Sequence, residues 1–374
     1  MKKGTFTIFA VTAPGLEPLC ARELETLGVA GATVLPGGVE FEGDLATLYR
    51  ANLWLRTASR VLVRVGSFRC RDFPSLYQKA LRLPWGKFVR PQTPVQIKAS
   101  ASRSRLLHTG RLADSVGQAV DRALGRQPLA GEGFAQTILV RMEDDICQLS
   151  VDSSGELLHR RGYRAEAGPA PLRETLAAAM LMLLGWDGKT PLVDPMCGSG
   201  TLPIEAALLA GHRPPGKGRD FAFMQWPRYR PGLWQALLQE AVRQAQAIPA
   251  GMINAADRDP SVLEKARRNA ERAGVAGCIA FRPGEISAAE PPAGPGLVLF
   301  NPPYGERLEG GGDIVSFYRE MGQALRHRYG GWGQAFLCPD EQLARRTGLP
   351  LEPAGGFSNG GLRVTLFRSK EPEA

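Results

Sequence analysis

The stretch Leu192-Val-Asp-Pro-Met-Cys-Gly-Ser-Gly-Thr201 decides the fold that this sequence predicts. Its first residues form a short apolar run ending at Asp194, typical of a buried strand in a parallel sheet. Gly198 and Gly200 allow a tight turn and a close approach of backbone to ligand, and Thr201 is placed to cap the next helix. Such a strand–loop–helix binds its ligand at the carboxyl end of the strand, over free backbone N–H groups.

The glycine spacing excludes two common phosphate-binding loops. The stretch lacks the third glycine of a dinucleotide fingerprint and the Gly-Lys-Ser/Thr ending of a phosphate loop. An ordinary glycine-rich turn before a helix is the alternative interpretation. Cys197, inside the loop, is interpreted as a small packing residue rather than a nucleophile.

Acidic residues follow the next two predicted strands. Asp257 ends the second strand, where doubly wound folds hydrogen-bond a ribose diol. Asp259 comes just before Pro260, which suits the first position of a helix, so Asp259 is interpreted as that helix's N-cap. Asp257 is therefore the favoured ribose ligand. Glu285, near the end of the third strand, either accepts the adenine amino group or is solvated, and the sequence leaves both open.

A second loop, Asn301-Pro-Pro-Tyr-Gly305, follows a fourth apolar strand. Its two prolines fix the backbone and remove two N–H donors, so carbonyl oxygens there tend to be free. The Asn301 side-chain oxygen and the Pro302 carbonyl would both accept from a weakly nucleophilic amine and favour its pyramidal form. Tyr304 would stack on the base. A proline turn with an incidental Asn and Tyr is the alternative.

Together the two loops predict a methyltransferase that uses S-adenosylmethionine and acts on an exocyclic or side-chain nitrogen. The cofactor-binding candidates are Asp194, Cys197, Gly198, Gly200, Thr201, Asp257, Glu285 and Asn301. The catalytic candidates are Asn301, Pro302 and Tyr304.

The charge of the chain favours a polyanionic partner. The 374 residues carry a net charge of +9, and residues 56–126 hold 15 Lys/Arg against 3 Asp/Glu, a net +12. Arginines beside hydroxyls and aromatic rings suit phosphate contacts with stacking, although a solvated basic face is the alternative. The candidates for contact with RNA are Arg103, Arg105, Arg111, Arg160 and Arg161.

Cysteine and histidine usage predicts no metal site. The six cysteines and four histidines are scattered, without the spacing of a zinc site. We expect reduced thiols and a cytoplasmic protein. No apolar run reaches membrane-spanning length, and the N-terminus lacks the apolar core of a signal peptide. The sequence does not indicate an oligomeric state.

Two further segments are candidates for parts of the predicted site. An insert at 212–249, rich in Arg, Gly, Pro and Trp, is either a flap beside the active site or extra packing on the sheet. The glycines of 310–312 predict a mobile lid.

The two loops resemble those of the guanine-N2 RNA methyltransferases that carry a THUMP domain. The strongest matches are Asp194-Pro-Met-Cys-Gly-Ser-Gly-Thr-Leu-Pro-Ile-Glu205 and Asn301-Pro-Pro-Tyr-Gly-Glu-Arg307. The insert, with Gly218-Arg-x-Phe-x-Phe and Leu233-Trp-Gln235, is similar to the bacterial enzymes that methylate guanine in 23S ribosomal RNA.

The resemblance implies an α/β chain in three domains. These are an N-terminal ferredoxin-like unit at 1–58, an α+β THUMP RNA-binding domain at 59–165, and a Rossmann-like methyltransferase domain with a mostly parallel seven-stranded sheet at 166–374. The chain departs from the pattern of this family in two places. Glu285 stands where the family is expected to have Asp, and the chain ends at Ala374 where some large members continue into a second methyltransferase domain. A second modification is therefore not expected.

The predicted activity is methylation of guanosine N2 in RNA, with large-subunit ribosomal RNA as the substrate. Transfer RNA is the nearest alternative. Protein glutamine methylation uses a similar Asn-Pro-Pro-Tyr loop but does not explain the basic N-terminal half, and DNA N6-adenine methylation more often has Asp first in that loop. A non-enzymatic alternative is an RNA-binding assembly protein with a vestigial cofactor fold.

Overall fold

The computed structural model describes residues 4–127, 133–165, 172–304, 313–359 and 361–370. The chain divides into two compact units, which are described separately below. The first unit contains Met1–Thr12, Cys20–Leu158 and Arg219–Gln239, and the second contains Ala13–Leu19, His159–Gly218 and Glu240–Ala374.

One seven-stranded sheet forms the centre of the first unit, in the order β2-β3-β1-β4-β7-β6-β5. The central strand β4 pairs antiparallel with both β1 and β7, while β5 pairs parallel with β6. The strands are β1 Phe6–Thr12, β2 Thr33–Leu35, β3 Gly38–Gly43, β4 Ala58–Arg69, β5 Val95–Ser102, β6 Gln136–Glu143 and β7 Ile146–Asp152. The two domains predicted for this part of the chain therefore share a single sheet, and the division at residue 58 stays a prediction.

The helices of the first unit begin where short polar side chains cap them. Asp44 accepts a hydrogen bond from the Thr47 N–H at 2.9 Å and is the N-cap of the helix that begins at Leu45. The last helix of this group buries Leu112, Val116 and Ala119, a stripe at helical spacing. The helices are α1 Glu17–Thr26, α2 Leu45–Trp54, α3 Phe73–Leu81 and α4 Thr109–Ala123.

The central part of the predicted insert, residues 219–239, belongs to the first unit. Within that unit, the indole N–H of the buried Trp226 donates to the Gln136 side-chain oxygen at 2.8 Å. The ring of Phe223 stacks on Tyr49 with centroids 4.3 Å apart, and the Tyr49 hydroxyl accepts from the Arg230 N–H. Residues 219–239 therefore pack within the first unit through partners far away in the sequence, and both interpretations of the insert stay open.

The second unit contains a second seven-stranded sheet, in the order β10-β9-β8-β11-β12-β14-β13. The described ladders from β10 to β12 are parallel, and β14 runs antiparallel to both neighbours. The strands are β8 Leu192–Asp194, β9 Ile253–Asp257, β10 Ile279–Pro283, β11 Leu297–Phe300, β12 Gly333–Cys338, β13 Leu351–Asn359 and β14 Leu362–Ser369. This arrangement confirms the predicted mostly parallel sheet.

Helices on the two faces of this sheet bury alternate strand residues. Leu192 packs with residues of α5, α6 and α8 in one hydrophobic cluster, whereas the adjacent Val193 packs with residues of α9 in the other. The helices of this region are α5 Glu174–Leu183, α6 Thr201–Ala210, α7 Pro231–Gln244, α8 Pro260–Arg272, α9 Ile314–Arg328 and α10 Glu341–Arg345. Residues up to Gln239 of α7 belong to the first unit.

The strand order reverses at β8, which lies between β9 and β11. Open α/β sheets bind ligands outside the carboxyl ends of their strands at this kind of switch point. Asp194, Asp257 and Asn301 all stand at that end of the sheet, since each ends or directly follows one of these three strands.

Candidate active site

Asp194 is a buried carboxyl at the end of β8. The side chain is 3 % exposed, and one oxygen accepts the Met196 N–H at 3.1 Å. Burial raises the pKa of this carboxyl well above its usual value, and the nearby charge of Asp257 adds to the rise. A cationic or amine-bearing ligand would relieve that cost, since it favours the ionised form.

The two glycines of the cofactor loop differ in what a side chain at each position would meet. Gly200 has φ +84°, and a Cβ there would lie 2.9 Å from the Ala266 Cβ, so Gly200 allows the loop to pack closely on α8. Gly198 has φ +53°, but its Cβ would meet no heavy atom within 4 Å in the described part of the chain. The space beside Gly198 is thus open to a ligand.

Three hydrogen bonds hold the loop against β9 and α8. The Cys197 N–H donates to the Ala256 carbonyl at 2.9 Å, and the Gly198 N–H donates to Asp257 Oδ2 at 2.9 Å. The buried Asn269 donates from Nδ2 to the Ser199 carbonyl at 3.0 Å. The Cys197 thiol is itself buried, which raises its pKa and suits a packing side chain. The Asn269 contact had no sequence signal, since the two residues are far apart in the chain.

The predicted capping role of Thr201 is wrong. The N-cap of α6 is Gly200, whose left-handed backbone provides no capping side chain, and Thr201 is the first helical residue. The Thr201 hydroxyl instead lies 3.1 Å from the Arg164 guanidinium, which also pairs with Glu174 at 3.0 Å. Arg164 was not among the predicted site residues, because nothing in the local pattern links it to the loop.

The two candidate acids after β9 have separate roles. Asp259 accepts the Ser261 N–H at 2.8 Å as the N-cap of α8, as predicted. Asp257 lies beside the cofactor loop and accepts N–H bonds from Gly198 and from Asp259. A carboxylate has lone pairs beyond these two, so it can still accept from a diol. Its role toward a ribose stays a prediction.

Glu285 is exposed, just before a short 3-10 turn at Ile286–Ala288. Ile286 beside it is buried in the core on the α9 side of the sheet. Both interpretations of the Glu285 carboxylate, as an adenine acceptor and as a solvated side chain, therefore stay open.

The reaction loop, which starts at Asn301, begins with a buried hydrogen-bond acceptor. Asn301 Oδ1 is buried, and no described residue donates a hydrogen bond to it. Pro302 and Pro303 follow and offer no N–H. A buried acceptor without a donor costs about 1–3 kcal/mol, which a bound amino group would recover.

Tyr304 is more enclosed than a stacking platform requires. Its side chain is 3 % exposed within the hydrophobic core, and its hydroxyl accepts from Asn359 Nδ2 at 3.0 Å. Stacking on a base stays a prediction for this ring. The predicted lid at residues 310–312 lies outside the described residues.

Four of the five predicted RNA contacts are exposed in their respective units. Arg103 pairs with Glu143 at 2.6 Å and with Asp144 at 3.0 Å, which offsets part of its charge. The Arg111 guanidinium lies 4.2 Å from the centre of the Phe73 ring. The exposed candidates are Arg103, Arg105, Arg111 and Arg160.

The prediction that Arg161 contacts RNA is wrong. Its side chain is buried and pairs with the fully buried Glu205 of α6 at 3.5 Å, and the Tyr163 hydroxyl donates to the same carboxylate at 3.1 Å. A guanidinium in this position is not available to a phosphate. The prediction failed because the partner, Glu205, is 44 residues away in the sequence.

Several other basic side chains of residues 56–126 are also neutralised within the first unit. Their partners come mostly from other parts of that unit, so the exposed charge is smaller than the sequence count suggested. The pairs are Arg60–Asp152, Arg64–Glu40, Arg71–Asp145 and Arg126–Asp121.

Within the described ranges, no group of three or more His, Cys, Asp and Glu residues could hold a metal ion. None of the described helices is long and apolar enough to cross a membrane.

Family models match three consecutive parts of the chain. Residues 7–62 match the RlmL ferredoxin-like domain, residues 70–152 match the THUMP domain, and residues 161–348 match the RMKL-like methyltransferase domain. The last match covers half of the chain.

Curated proteins and solved structures agree with these matches. The chain is 36% identical to a putative RNA methyltransferase of Synechocystis sp. over 96% of this chain and 95% of that protein. It is 38% identical to the ribosomal RNA large subunit methyltransferase K/L of Methylococcus capsulatus, over 97% of this chain and 51% of that protein. The chain thus spans about half the length of that relative.

A solved structure matches over the full length of both chains. It is a putative methyltransferase complexed with SAH, with a TM-score of 0.91 and 31% identity over 100% of each chain. With these matches, the two sheets and the loops at the switch point, the chain belongs to the RMKL-like methyltransferase family and carries the RlmL ferredoxin-like and THUMP domains ahead of the methyltransferase domain.

Proposed function

We propose that this protein transfers a methyl group to the exocyclic N2 of a guanosine in RNA, with large-subunit ribosomal RNA as the substrate. S-adenosylmethionine is the methyl donor, as the family and the SAH-bound structural relative indicate. The observation that carries the proposal is the buried Asn301 Oδ1, which has no donor among the described residues and follows β11, the strand paired with the cofactor strand β8.

The residues of the loop fit the proposed cofactor. The buried carboxyl of Asp194 suits the amino group of the cofactor, and the open space at Gly198 admits it close to the backbone. Asp257, whose carboxylate accepts from the Gly198 N–H, would accept from the ribose hydroxyls. The cofactor supplies an electrophilic methyl group on a sulfonium centre.

On the substrate side, Asn301 prepares a weak nucleophile. The lone pair of an exocyclic amine is delocalised into the base, and an acceptor at Oδ1, together with the Pro302 carbonyl, would orient the amine and favour the pyramidal nitrogen. Fixed acceptors of this kind stabilise the transition state without reorganisation. Neither group is a strong base at neutral pH, so the proton leaves after methylation has made the nitrogen acidic, and water accepts it.

Substrate binding is assigned to the exposed arginines of the first unit and to Arg160. Phosphate contacts by such side chains make RNA affinity fall steeply with salt, because neutralised phosphates release counterions. The THUMP domain matched at 70–152 and the named ribosomal RNA relative support this assignment.

One experiment tests the activity directly. The purified protein is incubated with labelled S-adenosylmethionine and unmodified ribosomal RNA, transfer RNA, DNA or protein, and the labelled nucleoside or residue is identified after digestion. N2-methylguanosine in large-subunit RNA is expected. Label only in transfer RNA would shift the substrate assignment, and N6-methyladenosine or methylglutamine would overturn the N2 assignment. Cofactor binding absent from the wild-type protein would favour an RNA-binding protein with a vestigial fold.

A further inference from the structure

Both ends of the described reaction loop are anchored in the core of the second unit. Phe300, at the end of β11, is fully buried, and Tyr304 is 3 % exposed. Between them lie Asn301 and two prolines, whose fixed φ angles leave this short segment few degrees of freedom. The position of Asn301 Oδ1 therefore depends on both anchors.

The second anchor has a polar component contributed from elsewhere in the unit. Asn359, the last residue of β13, donates from Nδ2 to the Tyr304 hydroxyl at 3.0 Å. Asn359 pairs with Leu362 at the end of the β13–β14 ladder, and this pairing constrains its backbone. The hydrogen bond spans 55 residues of sequence.

We propose that Asn359 is a positioning residue for methyl transfer, acting through the Tyr304 hydroxyl to hold Asn301 in place; this inference rests on the proposed function. Asn359 fixes the far end of the Tyr304 ring, and the prolines transmit that constraint to Asn301. Loss of the contact lets the loop shift and moves Oδ1 away from the target amine.

This role differs from stacking in one measurable way. If Tyr304 only stacks on the base, Tyr304→Phe retains the ring and is mild. If the hydroxyl is an anchor, Tyr304→Phe and Asn359→Ala remove the same hydrogen bond and lower the rate by the same factor.

The test is a double-mutant cycle in single-turnover methylation at saturating cofactor and RNA. Asn359→Ala and Tyr304→Phe are each expected to slow transfer about 10-fold, since a misplacement of about 1 Å can cost about 10²-fold. The double variant Asn359→Ala/Tyr304→Phe is expected to be no slower than either single variant. Cofactor affinity, measured by calorimetry, is expected to stay at the wild-type value.

Ser358→Ala is the matched control, since alternate residues of a strand face opposite sides. It changes the residue next to Asn359 on the other face of the same strand and is expected to react at the wild-type rate. A wild-type rate for Asn359→Ala would overturn the proposal while leaving the proposed function intact. Rate losses that multiply in the double variant would also overturn it, because they would show that Asn359 acts independently of the hydroxyl. A wild-type protein that methylates no RNA would instead refute the proposed function, and this inference with it.

Discussion

The two glycines of the cofactor loop provide a matched pair of substitutions. Gly198→Ala and Gly200→Ala each add one methyl group to a residue with positive φ. They differ in what that methyl group meets. At Gly200 it would lie 2.9 Å from the Ala266 Cβ and 3.3 Å from the Ala266 Cα, whereas at Gly198 the described residues leave the space open.

These contacts determine the expected magnitudes. Both variants lose about 1–2 kcal/mol of stability, the usual cost of a left-handed backbone at a residue with a Cβ. Gly200→Ala also pushes α8 away, because backbone and a short side chain cannot yield, and this adds about 1–3 kcal/mol. Gly198→Ala adds no such penalty, but its methyl group occupies the space assigned to the cofactor. A clash of about 1–3 kcal/mol there weakens cofactor binding by about 5- to 150-fold.

Two measurements separate the variants. Urea unfolding of the cofactor-free protein is expected to show Gly200→Ala as the less stable of the two, and calorimetry with S-adenosylmethionine is expected to show Gly198→Ala binding more weakly than wild type. Wild-type cofactor affinity for Gly198→Ala would refute the assignment of that space to the cofactor. Equal stability of the two variants would refute the argument from close packing on α8.

The other predictions concern the acceptor, the ribose ligand and the basic residues. Asn301→Ala is expected to slow single-turnover transfer about 10²–10³-fold with cofactor affinity little changed. Asn301→Asp keeps an acceptor oxygen and is expected to retain more activity. A near-wild-type rate for the Ala variant would exclude the mechanism. Asp257→Ala is expected to weaken cofactor binding at least about tenfold in calorimetry, because a charge-assisted hydrogen bond contributes about 1.5–3 kcal/mol. The cofactor affinity of Asp259→Ala, measured in the same way, serves as the control for damage to α8. Arg161→Ala is expected to lower the free energy of unfolding by about 3–5 kcal/mol, since it leaves Glu205 buried without its cation. A free energy of unfolding equal to that of the wild type would contradict this expectation. Arg160→Ala is expected to reduce the salt dependence of RNA affinity by about one counterion.

Features that depend on neighbours in the chain were predictable from the sequence. The caps at Asp44 and Asp259 involve acceptors within three residues of the N–H groups they satisfy. The apolar strands of the second sheet and their order along the chain followed from short hydrophobic runs, and parallel pairing then brought Asp194, Asp257 and Asn301 to one edge. Local spacing carries this information because the hydrogen bonds and the alternation of faces are themselves local.

Some local patterns misled the prediction. Thr201 resembles a cap, but Gly200 takes that position with a left-handed backbone. The edge strand β13 was not predicted, because Pro353, Gly355 and Gly356 conceal it. An edge strand tolerates such residues, and the pairing of β13 with β14 shifts register between Pro353 and Gly355.

The sequence by itself determined the cofactor loop, the reaction loop and the mostly parallel sheet that brings them to one edge. Only the tertiary structure decided which charged and polar side chains are paired. It buried Arg161 against Glu205, placed the aromatic residues of the insert on the first unit, and joined Asn359 to Tyr304. The physical reason is that these partners lie tens of residues apart, where burial and hydrogen-bond geometry, rather than any periodic pattern, select them.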